Sequence, residues 1–464
     1  MTFDPAPQSF NMAAHVLARA DDAPDKTALA ILGAVHTESW SYAQIQAAIR
    51  GAASGLLASG LSAGDRVLLR LGNTPDFPIA FLACIAVGLI PVPTSSQLTT
   101  PEITAMTADL APAAIIAGDG VALPDCNVPV IDTDRLASFF GLPAAEFAMG
   151  DPDRAAYIIF TSGTSGKPRG VIHAHRAIWA RRMMHQGWYG LTSRDRLLHA
   201  GAFNWTYTLG TGLMDPWTLG ATALIPVAGT PASHLPSLLA QHDATIFAAA
   251  PGVYRQILKS EITTLPKLRH GLSAGEKLPD TTRKAWSAAT RTPIYEAYGM
   301  SECSTFISGS PTTPADAGTL GQPQPGRRIA LLQEDGTQGD SGQIAVHKSD
   351  PGLMLGYLNA PQDTKDRYLG DWYLTGDIGR RRPSGAISYE GRSDDMMNAG
   401  GYRVSPIEVE TALALGADPT DAVFWVTTSA PGLDARLARR IADRPEIVIG
   451  PAVDGIRRIG LAEA

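Results

Sequence analysis

Residues 161–170 are the part of this chain best suited to chemistry, and they read TSGTSGKPRG. Glycines let backbone N–H groups converge on an anion, hydroxyl groups add short donors, and Lys167 supplies a point charge. The sequence has 8 lysines against 30 arginines, so a lysine in this setting is informative. The pattern predicts a phosphate-binding loop; the alternative is a surface turn rich in Ser and Gly. It is not a Walker A motif, because Pro168 follows Gly166 and Lys167.

This segment closely resembles the signature loop of the adenylate-forming superfamily, which contains acyl- and aryl-CoA synthetases, luciferases and the adenylation domains of peptide synthetases. Arg169 stands where the family has a lysine and Ser165 where it has a threonine, and both exchanges keep the charge or the hydroxyl group. The resemblance implies that the loop binds the phosphates of ATP, with Thr161 and Lys167 as catalytic groups. The other implied nucleotide contacts of the loop are Ser162, Gly163, Thr164, Ser165 and Gly166.

Residues 295–302, YEAYGMSE, resemble the Tyr-Gly-x-Thr-Glu segment of the same family, with Ser301 in place of Thr. The face of Tyr298 can stack on adenine, and Gly299 allows a close approach. Ser301 can donate to the α-phosphate, and Glu302 offers oxygen ligands to a Mg2+ ion that bridges the phosphates. Taken alone, the segment is better explained as a strand end that turns into a loop, with Glu302 exposed to solvent. Its place downstream of the glycine-rich loop favours the family interpretation.

Residues 273–279, SAGEKLP, lie between these two motifs. They resemble the Ser/Thr-Ala-Gly-Glu turn of medium-chain acyl-CoA and benzoate-CoA ligases. The resemblance implies that the backbone at Ala274, Gly275 and Glu276 flanks adenine and the acyl pocket. Without it, the segment predicts only a turn before a helix capped by Asp280.

Residues 373–377, YLTGD, match a third family motif. One carboxylate can accept hydrogen bonds from both ribose hydroxyls if a tight turn fixes its position. Asp377 suits that role, and Arg392 is a second candidate contact through its forked donors. The alternative is an exposed aspartate in a glycine turn.

Residues 391–410 read GRSDDMMNAGGYRVSPIEVE and closely resemble the family's hinge segment. Asp394 corresponds to the hinge, while Gly400, Gly401 and Arg403 fall on the loop that lines the side from which the thiol arrives. The resemblance therefore predicts an AMP-binding domain over residues 1–393 and a small C-terminal domain over residues 394–464.

The family carries a catalytic lysine close to its C-terminus, whereas the last lysine of this sequence is Lys365. We therefore expect a shortened C-terminal domain. Adenylation by this chain alone should be weakened, while thioester formation from a supplied acyl-adenylate survives.

The acyl pocket is predicted at residues 203–212, FNWTYTLGTG. Their Tyr-x-Leu-Gly-x-Gly spacing resembles the pocket segment of benzoate-CoA ligases, and aromatic side chains suit an aromatic or medium-length apolar acid. Ordinary core packing is the alternative. Asn204 stands where amino-acid adenylation domains have an aspartate, which argues against an α-amino acid. The predicted pocket residues are Phe203, Trp205, Tyr207 and Gly210.

Composition limits the remaining possibilities. A chain of 464 residues is too long for one core, and its net charge of -7 argues against a general nucleic-acid or membrane-surface binder. Three scattered cysteines form no metal spacing and favour a reducing compartment, with Cys303 expected to be a small packing residue. Residues 1–8 lack the features of a signal peptide. We expect a cytoplasmic protein without a membrane span, and a homodimer is possible.

These residues need a scaffold, and the pattern predicts an α/β protein. Strand-like runs at 66–69, 113–116 and 223–227 alternate with helical stretches at 42–59 and 177–185, which is typical of largely parallel sheets. Residues 77–93 predict a buried helix followed by a strand. Short alternating runs after Gly321 predict a β-rich subdomain. We therefore expect a large domain of stacked α/β subdomains plus this β-rich part, followed by a small α+β domain.

Together the motifs predict an AMP-forming acyl- or aryl-CoA ligase that uses a carboxylic acid, ATP, Mg2+ and CoA. One alternative is an enzyme that only adenylates and passes its acyl group to a carrier protein in trans. Another is a weakly active homologue that binds a nucleotide or acyl-CoA.

Overall fold

The computed structural model of the chain describes residues 4–33, 35–161 and 168–393, together with five short strands beyond residue 393. The chain forms two compact units. The first comprises residues 1–328 and 346–372, and the second comprises residues 329–345 and 373–464. The domain boundary predicted at Asp394 lies outside the described residues and stays a prediction.

The elements are as follows. The α-helices are α1 (Met12–Val16), α2 (Tyr42–Ala58), α3 (Asp76–Ala86), α4 (Thr100–Leu110), α5 (Thr133–Ser138), α6 (Ala177–Ala180), α7 (Arg182–Met184), α8 (Asp215–Leu219), α9 (Leu235–Gln241), α10 (Pro251–Ile257), α11 (Asp280–Thr290) and α12 (Pro361–Lys365). Residues His185–Tyr189 and Thr208–Met214 are π-helical, and Ala232–His234 form a 3-10 turn. The strands are β1 (Thr27–Leu32), β2 (Thr37–Ser41), β3 (Arg66–Arg70), β4 (Ile90–Pro93), β5 (Ala114–Ala117), β6 (Val130–Asp132), β7 (Ala155–Thr161), β8 (Arg169–Ala174), β9 (Arg196–His199), β10 (Thr222–Pro226), β11 (Ile246–Ala249), β12 (His270–Ser273), β13 (Ile294–Met300), β14 (Ser304–Ser308), β15 (Gln322–Pro323), β16 (Ile329–Leu332), β17 (Ser341–His347), β18 (Gly356–Tyr357), β19 (Tyr368–Leu369), β20 (Trp372–Arg381), β21 (Ile387–Arg392), β22 (Met397–Ala399), β23 (Tyr402–Val404), β24 (Phe424–Thr427), β25 (Ile447–Ile449) and β26 (Ile456–Leu461).

A nine-stranded sheet dominates the first unit, in the order β15-β14-β13-β12-β11-β9-β10-β1-β2. The strands from β13 to β1 run parallel, and antiparallel strands close both edges. Helices link successive parallel strands, as the βαβ pattern requires. Ligands of such sheets bind outside the carboxyl ends of the strands, where β9 ends at His199 and β12 ends at Ser273.

A second parallel sheet of the first unit has the order β4-β3-β5-β6. Helix α3 packs into the core beside it, and every residue from Phe77 to Ala86 is buried. This apolar run needs burial on all sides because it has no polar face. The buried helix and strand predicted over residues 77–93 are thus confirmed as α3 and β4.

A third sheet of this unit is antiparallel and has the order β18-β8-β7. Tyr357 of β18 is the register partner of Val171 in β8. The sheet therefore places β18 next to β8, the strand that follows the predicted phosphate loop.

The second unit is built from strands wherever it is described. It contains the sheet β16-β17-β20, with β21 antiparallel to β20. Beyond residue 393 are the hairpin β22–β23 and the antiparallel group β24-β26-β25.

The α/β class is confirmed, and so is the β-rich part after Gly321. The helical stretch predicted over residues 177–185 is confirmed as α6, α7 and the start of the π-helical segment at His185, with one turn residue between α6 and α7. One local prediction was wrong. The predicted cap Asp280 is the first helical residue of α11, and Pro279 occupies the N-cap without a side-chain hydrogen bond.

Candidate active site

The predicted phosphate loop connects two antiparallel strands. β7 ends at Thr161 and β8 begins at Arg169, and these two residues are register partners. Residues 162–167 lie outside the described part of the chain, so their predicted phosphate contacts stay predictions. Those residues are Ser162, Gly163, Thr164, Ser165, Gly166 and Lys167. Thr161 is half-buried at the strand end, where a short hydroxyl donor can serve an anion.

Ser301 and Glu302 lie at the tip of a hairpin between β13 and β14. Met300 and Ser304 are register partners, so three residues make the connection, and the Cys303 N–H donates to the Met300 carbonyl over 3.2 Å. The residue that directly follows this connection, Ser304 at the start of β14, lies in the left-handed region with a φ of 63°.

Gly299 is required by the close approach of the two strands of this hairpin. A Cβ atom at Gly299 would lie 2.2 Å from the Ser304 carbonyl oxygen and 2.4 Å from the Thr305 Cα atom. Backbone atoms cannot yield to such a contact, so the site needs glycine for packing inside the hairpin. This supplies a structural reason for Gly299 beside its predicted contact with the nucleotide.

The Glu302 carboxylate is held by β18. The Tyr357 hydroxyl donates to Oε1 of Glu302 over 2.6 Å, and the Met354 N–H donates to the Glu302 carbonyl over 2.7 Å. A charge-assisted hydrogen bond of this length orients a carboxylate strongly.

Arg169 connects the same tyrosine to the end of the phosphate loop. Its guanidinium carbon lies 5.3 Å from the centre of the Tyr357 ring, and Nη2 of Arg169 pairs with Asp363 over 2.9 Å. Arg169, which replaces the family lysine, is thus tied to β18 and α12. The loop end and the Glu302 hairpin share Tyr357 as a common neighbour.

The predicted adenine contacts are exposed to different degrees. Tyr298 is half-buried on β13, and its ring meets Phe306 edge-on at 5.3 Å. Ala274 is buried, whereas Gly275 and Glu276 are exposed. Gly275 has a φ of 96°, which a residue with a side chain rarely adopts.

Trp205 is exposed and Tyr207 is buried beside it in the predicted acyl pocket. Their rings meet edge-on at 5.5 Å, and a Cβ atom at Gly275 would lie 2.9 Å from Trp205, so the Ser-Ala-Gly-Glu turn and this aromatic pair are neighbours. Exposure falls from 37% at Trp205 to 8% at Tyr207, whose hydroxyl donates to the Leu272 carbonyl. Phe203 is only 1% exposed and belongs to the core cluster of α3.

His199 and Gly210 lie deeper. The His199 ring is fully buried and meets Tyr207 edge-on at 4.4 Å, and this burial lowers the pKa of His199 to about 3. Gly210 is buried in the π-helical segment, where a Cβ atom would lie 2.3 Å from the guanidinium carbon of Arg181. Gly210 therefore accommodates a buried arginine that the sequence did not reveal as a neighbour.

In the second unit, Asp377 and Arg392 are register partners on β20 and β21. Nη1 of Arg392 lies 3.3 Å from Oδ1 of Asp377, and the Asp377 N–H donates to the Thr375 hydroxyl over 3.1 Å. Gly376, which directly precedes Asp377, has a φ of 83° but lies within β20, so the carboxylate is carried by an irregular strand rather than following the expected tight turn. The role in ribose binding stays a prediction.

The predicted hinge segment is described only in part. Three of its residues, Asp394, Gly400 and Gly401, lie outside the described residues. Arg403 lies within β23, where only its backbone is described. Their predicted roles in the hinge and in CoA binding stay predictions.

Mg2+ in nucleotide sites is bound by one or two carboxylates plus substrate phosphates rather than by a cage of protein ligands. In the described ranges, no three His, Cys, Asp or Glu side chains are grouped so that they could hold a metal ion. Glu302 fits the first arrangement, because the Tyr357 hydroxyl bonds to Oε1 and no other described residue bonds to this carboxylate. Mg2+ at Glu302 stays a prediction.

Tyr357 is a neighbour of Glu302 that the sequence motifs do not reveal. The dipeptide Gly356-Tyr357 carries no signal on its own, because its partner Glu302 is 55 residues away. Cys303, expected to be a packing residue, is buried, and this burial raises the pKa of its thiol above the ordinary value.

Comparison with known proteins identifies the family. The family described as AMP-binding enzyme matches residues 16–358. The chain belongs to the AMP-binding enzyme family. The predicted superfamily is thereby confirmed, and with it the prediction that the chain is an enzyme of the adenylate-forming class.

Among its relatives, the benzoate–CoA ligase of Thauera aromatica is 30% identical over 401 residues, which are 81% of this chain and 75% of that protein. The mitochondrial acyl-coenzyme A synthetase ACSM2 of Rattus norvegicus is 28% identical and is covered to 70%, with 81% of this chain. The crystal structure of a benzoate CoA ligase from Burkholderia xenovorans LB400 superposes with a TM-score of 0.78 at 28% identity, covering 91% of this chain and 87% of that one. These members are all acid–thiol ligases by name.

No helix among the described residues is both long enough and apolar enough to cross a membrane.

Proposed function

We propose that this chain is an ATP-dependent acyl- or aryl-CoA ligase that activates an aromatic or medium-chain carboxylic acid. In the first half-reaction, a carboxylate oxygen attacks the α-phosphorus of ATP, the bond to the bridging oxygen breaks, and pyrophosphate leaves. In the second, the thiol sulfur of CoA attacks the acyl carbon and loses its proton, and AMP leaves with its phosphate oxygen. Such enzymes act chiefly by positioning reactants and by neutralising phosphate charge.

The observation that carries this proposal is the hydrogen bond from Tyr357 to Glu302 beside Arg169. Through Tyr357, the oriented carboxylate of Glu302 and Arg169 at the end of the glycine-rich loop lie close to each other, in a chain of the AMP-binding family. A carboxylate with one oxygen oriented by a tyrosine is suited to a Mg2+ ion that also touches phosphate. We propose that Ser301 donates to the α-phosphate and that Glu302 binds this Mg2+.

The rest of the nucleotide is assigned to three further contacts. We propose that Tyr298 stacks on adenine, because an aromatic face is a good partner for a base. Asp377 is proposed to accept both ribose hydroxyls, with Arg392 oriented beside it over 3.3 Å. Lys167 and the hydroxyls of its loop are proposed to hold the β- and γ-phosphates.

The proposed acid is aromatic or of medium length because the exposed ring of Trp205 packs on the buried ring of Tyr207 in the predicted pocket segment. The rings of Trp205 and Tyr207 meet edge-on and leave Trp205 partly exposed, which favours a flat apolar acyl group. The relative from Thauera aromatica is named for benzoate, which agrees with this choice. Phe203, packed in the core, is proposed to support the pocket rather than to line it.

The test is acyl-CoA formation, followed by mass spectrometry, with ATP, Mg2+, CoA and a panel of benzoates, cinnamates and fatty acids of two to ten carbons. We expect one class of acid to give its CoA thioester, and Glu302→Gln to abolish it. The two half-reactions are then measured separately, as acid-dependent exchange of pyrophosphate into ATP and as thioester formation from synthetic acyl-adenylate. Acyl-adenylate without thioester would instead indicate transfer to a carrier. Binding of ATP without any product would refute the ligase.

A further inference from the structure

We propose that the buried ion pair of Arg181 and Asp215 positions the Ser301–Glu302 turn through the Ser304 hydroxyl, and thereby sets how well the enzyme uses Mg2+ with ATP. The proposal rests on the role of Glu302 given above. Arg181 and Asp215 are positioning residues in this account, because neither is placed against substrate.

The ion pair is bidentate and enclosed. Nε and Nη2 of Arg181 donate to the two carboxylate oxygens of Asp215 over 2.8 and 2.6 Å, and the residues are 6% and 0% exposed. The Tyr189 hydroxyl donates to Asp215 over 2.7 Å and exchanges a 2.9 Å hydrogen bond with Thr211. Burial alone would lower the pKa of Arg181, but the Asp215 carboxylate raises it above the ordinary value, so the guanidinium stays charged.

One nitrogen of this guanidinium reaches the hairpin. Nη1 of Arg181 donates to the Ser304 hydroxyl, while Nε and Nη2 serve Asp215. Two carboxylate contacts fix the plane of the guanidinium fork, which fixes the direction of the third donor. Ser304 is therefore held by a rigid group, although it is 123 residues away from Arg181 in sequence.

Ser304 is the residue on which the turn depends. Its φ of 63° lies in the left-handed region, which disfavours side chains other than those of Gly, Asn and Asp. A glycine would fit this position without strain, but it would lack the hydroxyl that Arg181 binds. The hydrogen bond from Arg181 therefore holds a residue of unfavourable backbone conformation directly after the Ser301–Glu302 turn.

The network also explains the glycine opposite it. Gly210 faces Arg181 so closely that a Cβ atom would lie 2.3 Å from the guanidinium carbon and from Nη2. Asp215 begins α8 directly after the π-helical segment that contains Gly210. The segment of the predicted acyl pocket and the turn of the predicted Mg2+ ligand are thus joined through one arginine.

The decisive variant is Ser304→Gly, because it separates stability from positioning. Glycine relieves the backbone strain but leaves Nη1 of Arg181 without this acceptor, and because these effects oppose each other we expect a small net change in thermal stability. The Mg2+ concentration for half-maximal pyrophosphate exchange should rise roughly threefold to tenfold, as expected for one lost hydrogen bond. Thioester formation from synthetic acyl-adenylate, which needs no Mg2+·ATP, should stay at the wild-type rate. An unchanged Mg2+ requirement in Ser304→Gly would overturn the proposal.

Two further variants and one binding measurement complete the test. Ala111→Gly relieves a left-handed residue of φ 47° at the end of α4 and should leave the Mg2+ requirement unchanged. Ser304→Ala keeps the strain, loses the hydroxyl, and should reproduce the Mg2+ shift with lower stability. Calorimetric ATP binding with and without Mg2+ gives the same comparison without turnover. If the wild-type enzyme forms no product with any acid, the proposed ligase is refuted. The ratio of ATP affinities with and without Mg2+, compared between wild type and Ser304→Gly, still decides the role of Ser304.

Discussion

The Tyr357 hydroxyl donates a 2.6 Å hydrogen bond to Oε1 of Glu302, from a strand that also contacts the end of the phosphate loop. We predict that Tyr357→Phe lowers the rate of pyrophosphate exchange roughly tenfold and raises its Mg2+ requirement, because a charge-assisted hydrogen bond that orients the carboxylate is lost. Tyr42→Phe is the matched control, since Tyr42 is buried and donates to the Ala221 carbonyl over 2.7 Å, away from the hairpin. Equal effects of the two variants on exchange would contradict this prediction.

Much of this site was accessible from the sequence because its motifs are local. The strand before the glycine-rich loop and the strand leading to Glu302 are each encoded within a few residues, and each forms where expected, whereas Asp377 lies within β20 rather than after a turn. Apolar runs also allowed the parallel strands to be predicted, since such strands are buried on both faces and are therefore continuously hydrophobic.

The parts that the sequence did not reveal depend on partners far apart in the chain. Nothing near Arg181 in the sequence indicates that Asp215 will neutralise it, because the two residues lie in different elements. The left-handed turn after Glu302 was equally hidden, because Ser304 lacks the sequence signal that Gly or Asn provides. Tertiary contacts, rather than local propensity, decide both features.

Asp377 provides a test of nucleotide binding in the second unit. Asp377→Ala should raise the KM for ATP roughly tenfold to a hundredfold, as expected when a hydrogen bond to a charged group is lost, with a smaller change in kcat. The measurement is pyrophosphate exchange at varied ATP, together with calorimetric binding of ATP. Asp335→Asn, an exposed turn residue of the same unit, should behave as the wild type. A change confined to the KM for the acid would exclude the ribose role.

Trp205 provides a test of the acyl pocket. Trp205→Ala should raise the KM for an aromatic acid by tenfold or more, because the ring of the acid loses an aromatic side chain to pack against. The KM for a short fatty acid should rise less. Stability should change little, since this side chain is 37% exposed. Trp40→Ala is the control, because Trp40 lies on the edge strand β2 and bonds to Glu38. Equal loss with all acids would show that Trp205 does not select the acyl group.

The buried histidines predict how stability depends on pH. Burial, the largest cause, lowers the pKa of His175 and His199 to about 3, and that of His15, His173 and His270 to about 4. The unfolded chain takes up these protons near pH 6.5, whereas the folded chain does not until pH 4 or below. The free energy of unfolding should therefore fall as the pH drops from 6.5 towards 4. His175 also accepts a 3.0 Å hydrogen bond from the Met12 N–H, which protonation would break.

His199→Leu tests this linkage at one position. Because leucine does not titrate, the loss in unfolding free energy between pH 7.5 and pH 5 should shrink by about 2 kcal/mol. Urea unfolding at both pH values measures it. His36→Gln, which replaces an exposed histidine, should leave the pH dependence unchanged. If His199→Leu lost as much stability as the wild type over this range, the neutral buried imidazole would not be the source of the acid sensitivity, and surface charge would have to explain it.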